Sequence, residues 1–265
     1  MEMMSIASGS SGNCIYIGTD NTHILVDAGI SCRNVTAGLN EIGLSLEDID
    51  AILITHEHDD HIKGLGVLER KCEIPVFGTA GTLNYVSTAS KLGYLPPDIY
   101  NYIRAGSSFF VGDIEVGTVS ISHDAVDPVA YSFKNNDKKI GVATDMGKYD
   151  DAIIECFKET NALLIEANHD INMLQLGSYP YYLKNRILGD KGHLSNEACG
   201  KLLSRLLNDR LERIFLGHLS RENNFPELAY ETVKLEINQS DSGYNANEFN
   251  IQVAKRNSPS ELIKV

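Results

Sequence analysis

The chain has no tryptophan, only seven prolines, and no apolar run near the roughly 18 residues that span a bilayer. The N-terminus, MEMMSIASGSSGN, lacks both a basic stretch and a continuous apolar core, so we expect no signal peptide. The five cysteines are odd in number and form no CxxC pair. Their pattern argues against a disulfide framework and against a thiolate zinc site. These absences predict a cytoplasmic protein without a membrane partner.

Positive charge is also scarce: 23 Lys and Arg against 36 Asp and Glu give a net charge of -13. This balance argues against a general affinity for phosphate backbones. Residues 184–221 are the exception, with eight Lys and Arg against four Asp and Glu. Two interpretations stay open: solvated charges on helix surfaces, or a basic rim beside an acidic body.

The chain shows no internal repeat, low-complexity segment or Pro/Gly-rich linker, so we predict one domain over residues 1–265. Alternating and continuous apolar segments predict strands in two β-rich halves, and each half also carries helical patterns. This order predicts an α+β fold in which two sheets pack face to face with helices outside. Helices are expected near residues 33–43, 64–71, 80–92, 149–159, 180–209 and 225–238, with Ser195 as an N-cap.

One short stretch concentrates metal-binding chemistry: residues 55–61 read THEHDDH, and they begin at the last residue of the apolar strand AILIT. Residues two apart can point to the same side, so His56 and His58 can hold one ion, while Asp60 and His61 hold another. The alternative is a polar helix start capped by an aspartate. It explains one acid and none of the three histidines, so the stretch predicts a metal site.

Further ligands are needed, because four residues do not complete two coordination spheres. His123, Asp145 and His218 share one context: each ends an apolar strand and precedes a turn. Strand ends that meet at one rim are a common place for functional sites in layered folds. We therefore predict that these three residues join the cluster.

The pattern HxHxDH, followed by these distal residues and preceded by Asp27, resembles the metallo-β-lactamase superfamily over essentially the whole chain. The resemblance implies a four-layer αββα sandwich with two divalent ions (Zn, Mn or Fe) at one edge. It implies that Asp145 bridges the ions and that Asp27 orients the metal loop. By the same resemblance the first ion is held by His56, His58 and His123, and the second by Asp60, His61 and His218.

Finer motifs resemble the phosphodiesterase and nuclease branch, and in particular the YycJ (WalJ) group of bacterial proteins. These are SGSSGNC at residues 8–14, HLSR from His218, and the segment 166–196. The group is regarded as DNA exonucleases, which implies DNA as partner and a role in DNA repair. The motifs around His169 and His193 resemble the pair that frames the leaving group in tRNA 3′-processing relatives. This resemblance implies His193 as proton donor or phosphate contact and His169 as the residue that orients it, although both are also explained as polar loop residues. Substrate contacts are expected from Ser10, Ser11, Asn13 and Ser220, although the Gly/Ser turn is also explained as a hairpin that needs glycine torsions.

The resulting hypothesis is two-metal phosphodiester hydrolysis, with Asp60 and His193 as catalytic residues. Two ions share a water and lower its pKa to roughly 7, so that hydroxide attacks the phosphodiester. The alternatives are a small-molecule hydrolase of the same fold (a cyclic phosphodiesterase, lactonase or thioesterase), an iron oxidoreductase and a non-catalytic binding protein. His58 argues against the iron oxidoreductase, because the oxygen-reducing diiron branch of the superfamily is expected to have Glu at this position. The filled ligand positions argue against a binding protein.

Overall fold

Two sheets of seven strands each form the centre of the structure, a computed structural model that describes residues 1–265. The strands are β1 Glu2–Ala7, β2 Cys14–Gly18, β3 His23–Val26, β4 Ala51–Leu53, β5 Val76–Thr79, β6 Tyr100–Ile103, β7 Ser108–Val111, β8 Ile114–Ser120, β9 Val129–Asn135, β10 Lys138–Ala143, β11 Ala162–Glu166, β12 Arg213–Gly217, β13 Asn250–Val253 and β14 Ile263–Lys264. The helices are α1 Cys32–Glu41, α2 Asp59–Ile62, α3 Leu65–Lys71, α4 Ala80–Thr88, α5 Asp151–Phe157, α6 Ile171–Leu176, α7 Tyr181–Leu188, α8 Asn196–Leu206 and α9 Pro226–Gln239.

Each sheet combines antiparallel and parallel pairing. The first has the order β14-β1-β2-β3-β4-β5-β6, with antiparallel pairing from β14 to β3 and parallel pairing from β3 to β6. The second has the order β13-β12-β11-β10-β9-β8-β7, antiparallel from β7 to β10 and parallel from β10 to β13. Because parallel strands all point one way, their carboxyl ends meet at one edge of each sheet.

The central strands are buried on both faces, which explains their continuous apolar sequences. On β2, Ile15 and Ile17 lie in the cluster between the sheets, whereas Tyr16 points to the helix side. On β11, Leu164 lies between the sheets and Leu163 faces the other helix layer. The layer order is therefore helix, sheet, sheet, helix, and the predicted αββα fold is confirmed.

The region from 180 to 209 contains two helices where the sequence predicted mostly helix. Ser195 begins α8 as expected, because its hydroxyl accepts a hydrogen bond from Ala198 N at 3.1 Å. The intervening turn carries His193 and packs tightly: a Cβ at Gly192 would lie 2.1 Å from the Ile187 carbonyl oxygen. Only glycine fits there. Helix α7 ends before this turn, at Leu188.

The edge of the first sheet and the end of α4 differ from what the sequence predicted. The two-residue strand β14 pairs with β1, with Lys264 opposite Glu2, and closes the edge of the first sheet. Helix α4 ends at residue 88, earlier than expected, because Ala89 is extended before a separate 3₁₀ turn. None of the helices is long and apolar enough to cross a membrane.

Candidate metal centre

The candidate site lies where the carboxyl ends of strands from both sheets meet. In the first sheet, β3 leads to Asp27 and β4 leads into residues 54–61. In the second sheet, β10, β11 and β12 bring Asp145, Glu166 and His218 to the same edge. Residues that follow a strand lie in loops at the edge of the hydrophobic core, so their polar side chains can converge there.

Three of these positions share an unusual backbone conformation. Asp27, Asp145 and His218 have φ of 63°, 60° and 54°, in the left-handed region that residues other than glycine seldom occupy. Such torsions cost on the order of 1 kcal/mol or more each, and they cluster at functional sites. Each one turns the chain sharply at a strand end, which aims the side chain into the site.

The THEHDDH stretch enters the site at the start of a very short helix. His58 directly precedes α2, and Asp60 and His61 lie in its first turn. The Asp60 loop is held by close backbone contact: Asn13 N donates to the Asp60 carbonyl at 2.8 Å, and a Cβ at Gly29 would lie 1.7 Å from the same oxygen. A glycine is therefore required at position 29.

The other two acids of the stretch point away from the ligand groups. Asp59 is exposed and forms an ion pair with Lys91. The Glu57 carboxylate is buried and accepts a hydrogen bond from Val126 N at 2.8 Å. Both acids therefore bind neighbouring parts of the protein and are not in the ligand sets.

The first predicted ligand set comes together. The ligand atoms of His56, His58 and His123 lie within 4.8 Å of one another. His123 Nε2 is 3.1 Å from His58 Nδ1. Three imidazoles with facing nitrogens are a suitable donor set for one transition-metal ion.

The second predicted set, Asp60, His61 and His218, also converges. Asp60 Oδ2 lies 3.6 Å from His61 Nε2 and 3.2 Å from His218 Nε2. This contact joins the first sheet's loop to the end of β12, so the set exists only when both sheets are packed together.

Asp145 lies between the two sets. Its Oδ2 is 3.1 Å from His61 Nε2, and its Oδ1 is 3.8 Å from His123 Nε2. Asp145 Oδ2 and His56 Nε2 are buried and make no hydrogen bond. Buried polar atoms without partners are costly, and metal ligation explains both.

In four of the histidines Nδ1 points out of the site and has a polar partner, while Nε2 faces into the site. His56 Nδ1 contacts Thr55 Oγ1 at 3.0 Å, and His61 Nδ1 contacts Asp27 Oδ2 at 2.7 Å. His123 Nδ1 contacts the Gly192 carbonyl at 3.1 Å. His218 Nδ1 contacts a Glu166 carboxylate oxygen at 2.9 Å. Acceptors at Nδ1 place the proton there and leave Nε2 with a free lone pair, which is the tautomer that metal ligation requires.

Glu166 begins the motif segment 166–196, but it was not among the site residues that the sequence predicted. It is fully buried, and its carboxylate accepts from His193 Nδ1, His218 Nδ1 and the Met146 and Leu194 amides, at 2.8, 2.9, 2.8 and 3.2 Å. A carboxylate at the end of the apolar strand ALLIE was the available signal, because buried acids need partners.

His193 and His169 take different positions. His193 is partly exposed, and its Nδ1 also lies 3.4 Å from Asp145 Oδ1. Its expected partner was His169, but Glu166 occupies that position, because the β11 strand end brings its carboxylate under the imidazole. Both ring nitrogens of His169 are buried without a hydrogen bond, and burial lowers the pKa of His169 to about 4.

The predicted substrate residues are divided between the interior and the surface. Asn13 is buried, and its Nδ2 lies 3.1 Å from His61 Nε2, so it contacts the centre directly. Ser10 and Ser11 are exposed at the tip of the same loop. Ser220 is partly buried, and its hydroxyl accepts from Asn223 N at 3.2 Å.

Opposed charges dominate the electrostatics of the site. Burial holds the pKa of His56 well below its ordinary value, and the neighbouring His61 adds to this. Burial also opposes the ionisation of His61, but the Asp27 and Asp145 carboxylates outweigh it and hold its pKa well above the usual range. Burial opposes the charged form of Asp145, yet His218 and His61 hold its pKa well below normal. The buried carboxylates therefore favour positive charge at the centre, and a bound cation would meet that requirement.

Comparison with known proteins agrees with this geometry. The family model described as a beta-lactamase superfamily domain matches residues 22–218. This chain belongs to the beta-lactamase superfamily. The resemblance inferred from the sequence motifs is thereby confirmed.

Relatives of this superfamily member cover most of its length. Exodeoxyribonuclease YycJ of Bacillus anthracis is 42% identical over 228 residues, which span 86% of this chain and 86% of the relative. Exodeoxyribonuclease WalJ of Streptococcus pneumoniae is 43% identical over 238 residues, 90% of this chain and 88% of the relative. The crystal structure of YhfI from Bacillus subtilis, a metallo-beta-lactamase fold protein, matches with a TM-score of 0.71 at 14% identity and covers 98% of both chains. That structural likeness shows the shared fold.

Five of the eight basic side chains in the stretch 184–221 have polar partners in this superfamily member. Three of its arginines form ion pairs closer than 4.0 Å, and Lys184 donates to the Gln175 and Gly177 carbonyls. These contacts support solvated helix surfaces for most of the stretch. The ion pairs join Arg186 to Asp124, Arg205 to Asp151 and Arg213 to Glu261.

Proposed function

We propose that this chain is a two-metal phosphodiesterase that degrades DNA as an exonuclease. The observation that carries the proposal is the pair of ligand sets on either side of Asp145, built from both sheets. The substrate class comes from relatives at 42 and 43% identity that are named exodeoxyribonucleases. We also propose that residues 1–265 form one domain, because neither sheet carries a complete ligand set.

His56, His58 and His123 would hold one ion, and Asp60, His61 and His218 the other, with Asp145 between them. The donors are imidazole nitrogens and carboxylate oxygens, which suit Zn, Mn or Fe. When bound, two such ions lower the pKa of a water and neutralise charge on the phosphoryl oxygens.

The protein's own residues orient these ligands and handle protons. Asp27 accepts hydrogen bonds from the Thr55 hydroxyl at 2.9 Å and from His61 Nδ1 at 2.7 Å. These bonds fix the orientation of the His61 ring. The Asp60 side chain is partly exposed, so it could orient the attacking water. His193 presents Nε2 at the open side of the site, because Glu166 engages its Nδ1, so it can donate a proton to the leaving oxygen.

The structure offers a matched pair of variants for the central test. Asp60→Ala removes a ligand, whereas Asp59→Ala removes an exposed neighbour that contacts only Lys91. Metal-reconstituted proteins are incubated with end-labelled single- and double-stranded DNA and RNA, a cyclic nucleotide and an ester. We expect DNA cleavage by the wild type and by Asp59→Ala, and a loss of at least about 100-fold in Asp60→Ala.

Equal DNA cleavage by folded Asp60→Ala would contradict the assignment of the site. Turnover of the cyclic nucleotide or ester alone would favour a small-molecule hydrolase, the alternative that the net charge of -13 supports. Metal analysis separates the remaining alternatives: substoichiometric occupancy after reconstitution would indicate a binding protein. A DNA substrate and five free cysteines both fit a cytoplasmic location.

A further inference from the structure

A groove of about 530 Å³ lies beside the metal centre. Its wall includes Ser220 and Arg221 from the loop after β12, Phe225 at the start of α9, and Lys255 and Arg256 after β13. The groove has three cationic side chains in its lining and no carboxylate. In a chain with a net charge of -13 this composition is unexpected.

The three cations lack strong acidic partners. Lys255 and Arg256 take part in none of the protein's ion pairs, and Arg221 has only a 4.0 Å contact with its exposed neighbour Glu222. Burial and the nearby Arg221 lower the pKa of Arg256, which is the direction expected where no carboxylate compensates. Uncompensated positive charge in a groove attracts an anionic ligand.

Direct contacts connect the groove to the metal centre. Ser220 is two residues after His218, and Ser8, which also lines the groove, accepts from His218 N through its hydroxyl at 2.9 Å. The Arg256 guanidinium donates to the Leu219 carbonyl and to Ser10 Oγ at 3.3 Å. A polymeric substrate cleaved at the metals would therefore extend into this groove.

Phe225 adds an exposed aromatic ring at the groove's edge, with 46% of its surface accessible. Aromatic rings beside a cationic groove are typical of proteins that bind single-stranded nucleic acid, because unpaired bases stack on them. We infer that the groove binds the single-stranded end of the DNA next to the scissile phosphate, with phosphates on Arg221, Lys255 and Arg256 and a base on Phe225. This inference rests on the proposed function.

The test compares two double variants with the same change in charge. Arg221→Gln/Lys255→Gln alters the groove, and Lys134→Gln/Lys158→Gln alters exposed lysines outside its lining. Cleavage of a single-stranded oligonucleotide and of a blunt duplex is measured over a range of NaCl concentrations, and thermal melts verify folding.

For single-stranded DNA we expect the groove variant to raise KM about tenfold, with kcat changed less. The slope of log(kcat/KM) against log[NaCl] should become shallower by roughly 1.4, or about 0.7 for each phosphate that the variant no longer neutralises. The control variant should match the wild type.

A second pair of variants tests the stacking contact. Phe225→Leu should raise KM for the single strand about fivefold, since stacking on one aromatic ring has an effect of at least that size. Phe225→Tyr keeps the ring and should retain the wild-type KM.

The outcomes distinguish the inference from the proposed function. Wild-type protein that cleaves no DNA would overturn the proposed function and this inference with it. Wild-type cleavage combined with a groove variant indistinguishable from the control would overturn the inference alone. Loss confined to the duplex would overturn the assignment to single-stranded DNA.

Discussion

Glu166→Gln is the substitution that tests most directly how the site is organised. Glu166 Oε1 accepts from the imidazoles of His193 and His218, while Oε2 accepts from the amides of Met146 and Leu194. All four partners are donors, so a glutamine cannot satisfy them in either orientation of its amide.

Each orientation has a different cost. If the new NH₂ group faces the two backbone amides, two buried donors lose their acceptor, at about 1–3 kcal/mol each. If it faces the imidazoles, His218 must carry its proton on Nε2, the nitrogen that lies 3.2 Å from Asp60 Oδ2. That tautomer leaves no lone pair on Nε2 to bind a metal, so we expect metal affinity to fall about 10- to 100-fold.

The assay is metal titration of the apoprotein, followed by activity at saturating metal. Glu155→Gln, an exposed change on α5, is the matched control and should bind metal as the wild type does. A purely structural defect would lower thermal stability and leave metal affinity intact in the folded fraction. Wild-type affinity together with wild-type kcat/KM in folded Glu166→Gln would refute the reasoning.

Three other outcomes concern stability. Burial raises the pKa of Glu69 from 4.5 to about 8, so between these pH values the folded state holds a proton that the unfolded state releases. The stability that this proton contributes is complete below pH 4.5 and is lost as the pH rises through about 8. Urea unfolding should show that Glu69→Gln removes a decline of roughly 2–4 kcal/mol between pH 4.5 and 9, and an unchanged decline would contradict this. Tyr131→Phe leaves the Ile54 carbonyl without its 2.8 Å partner and should lower the free energy of unfolding by about 1–2 kcal/mol, whereas an unchanged urea midpoint would count against it. Chelation should abolish activity and lower the Tm, both restored by added metal, because ions that bind the folded state stabilise it; a Tm insensitive to chelation would argue against ions in the buried ligand sets.

Local chemistry explains why so much of the site was visible in the sequence. Crowded imidazoles and carboxylates at residues 56–61 have few uses other than metal binding. His123, Asp145 and His218 were predicted because each follows an apolar strand, and strand ends that meet at one rim are a common place for functional sites. The two-sheet architecture followed from the order of strands and helices, since doubly buried strands require cover on both faces.

Other features depend on contacts between segments that are distant in the chain. The sequence predicted His169 as the partner of His193, whereas the structure has Glu166 in that role. Both residues belong to the same motif, so only the folded chain decides which side chain reaches the His193 imidazole. The ion pairs of the basic stretch also depend on acids elsewhere in the chain, such as Asp124 beside Arg186.

The groove shows this division most clearly, because its cations come from residues 221, 255 and 256, and only the first lies in the basic stretch. The sequence by itself determined the family, the layers and the metal-binding residue types, because these depend on periodicity and on side-chain chemistry. Only the tertiary structure decided which residues accept the outward imidazole protons and where positive charge stays unpaired, because both depend on distances across the packed sheets.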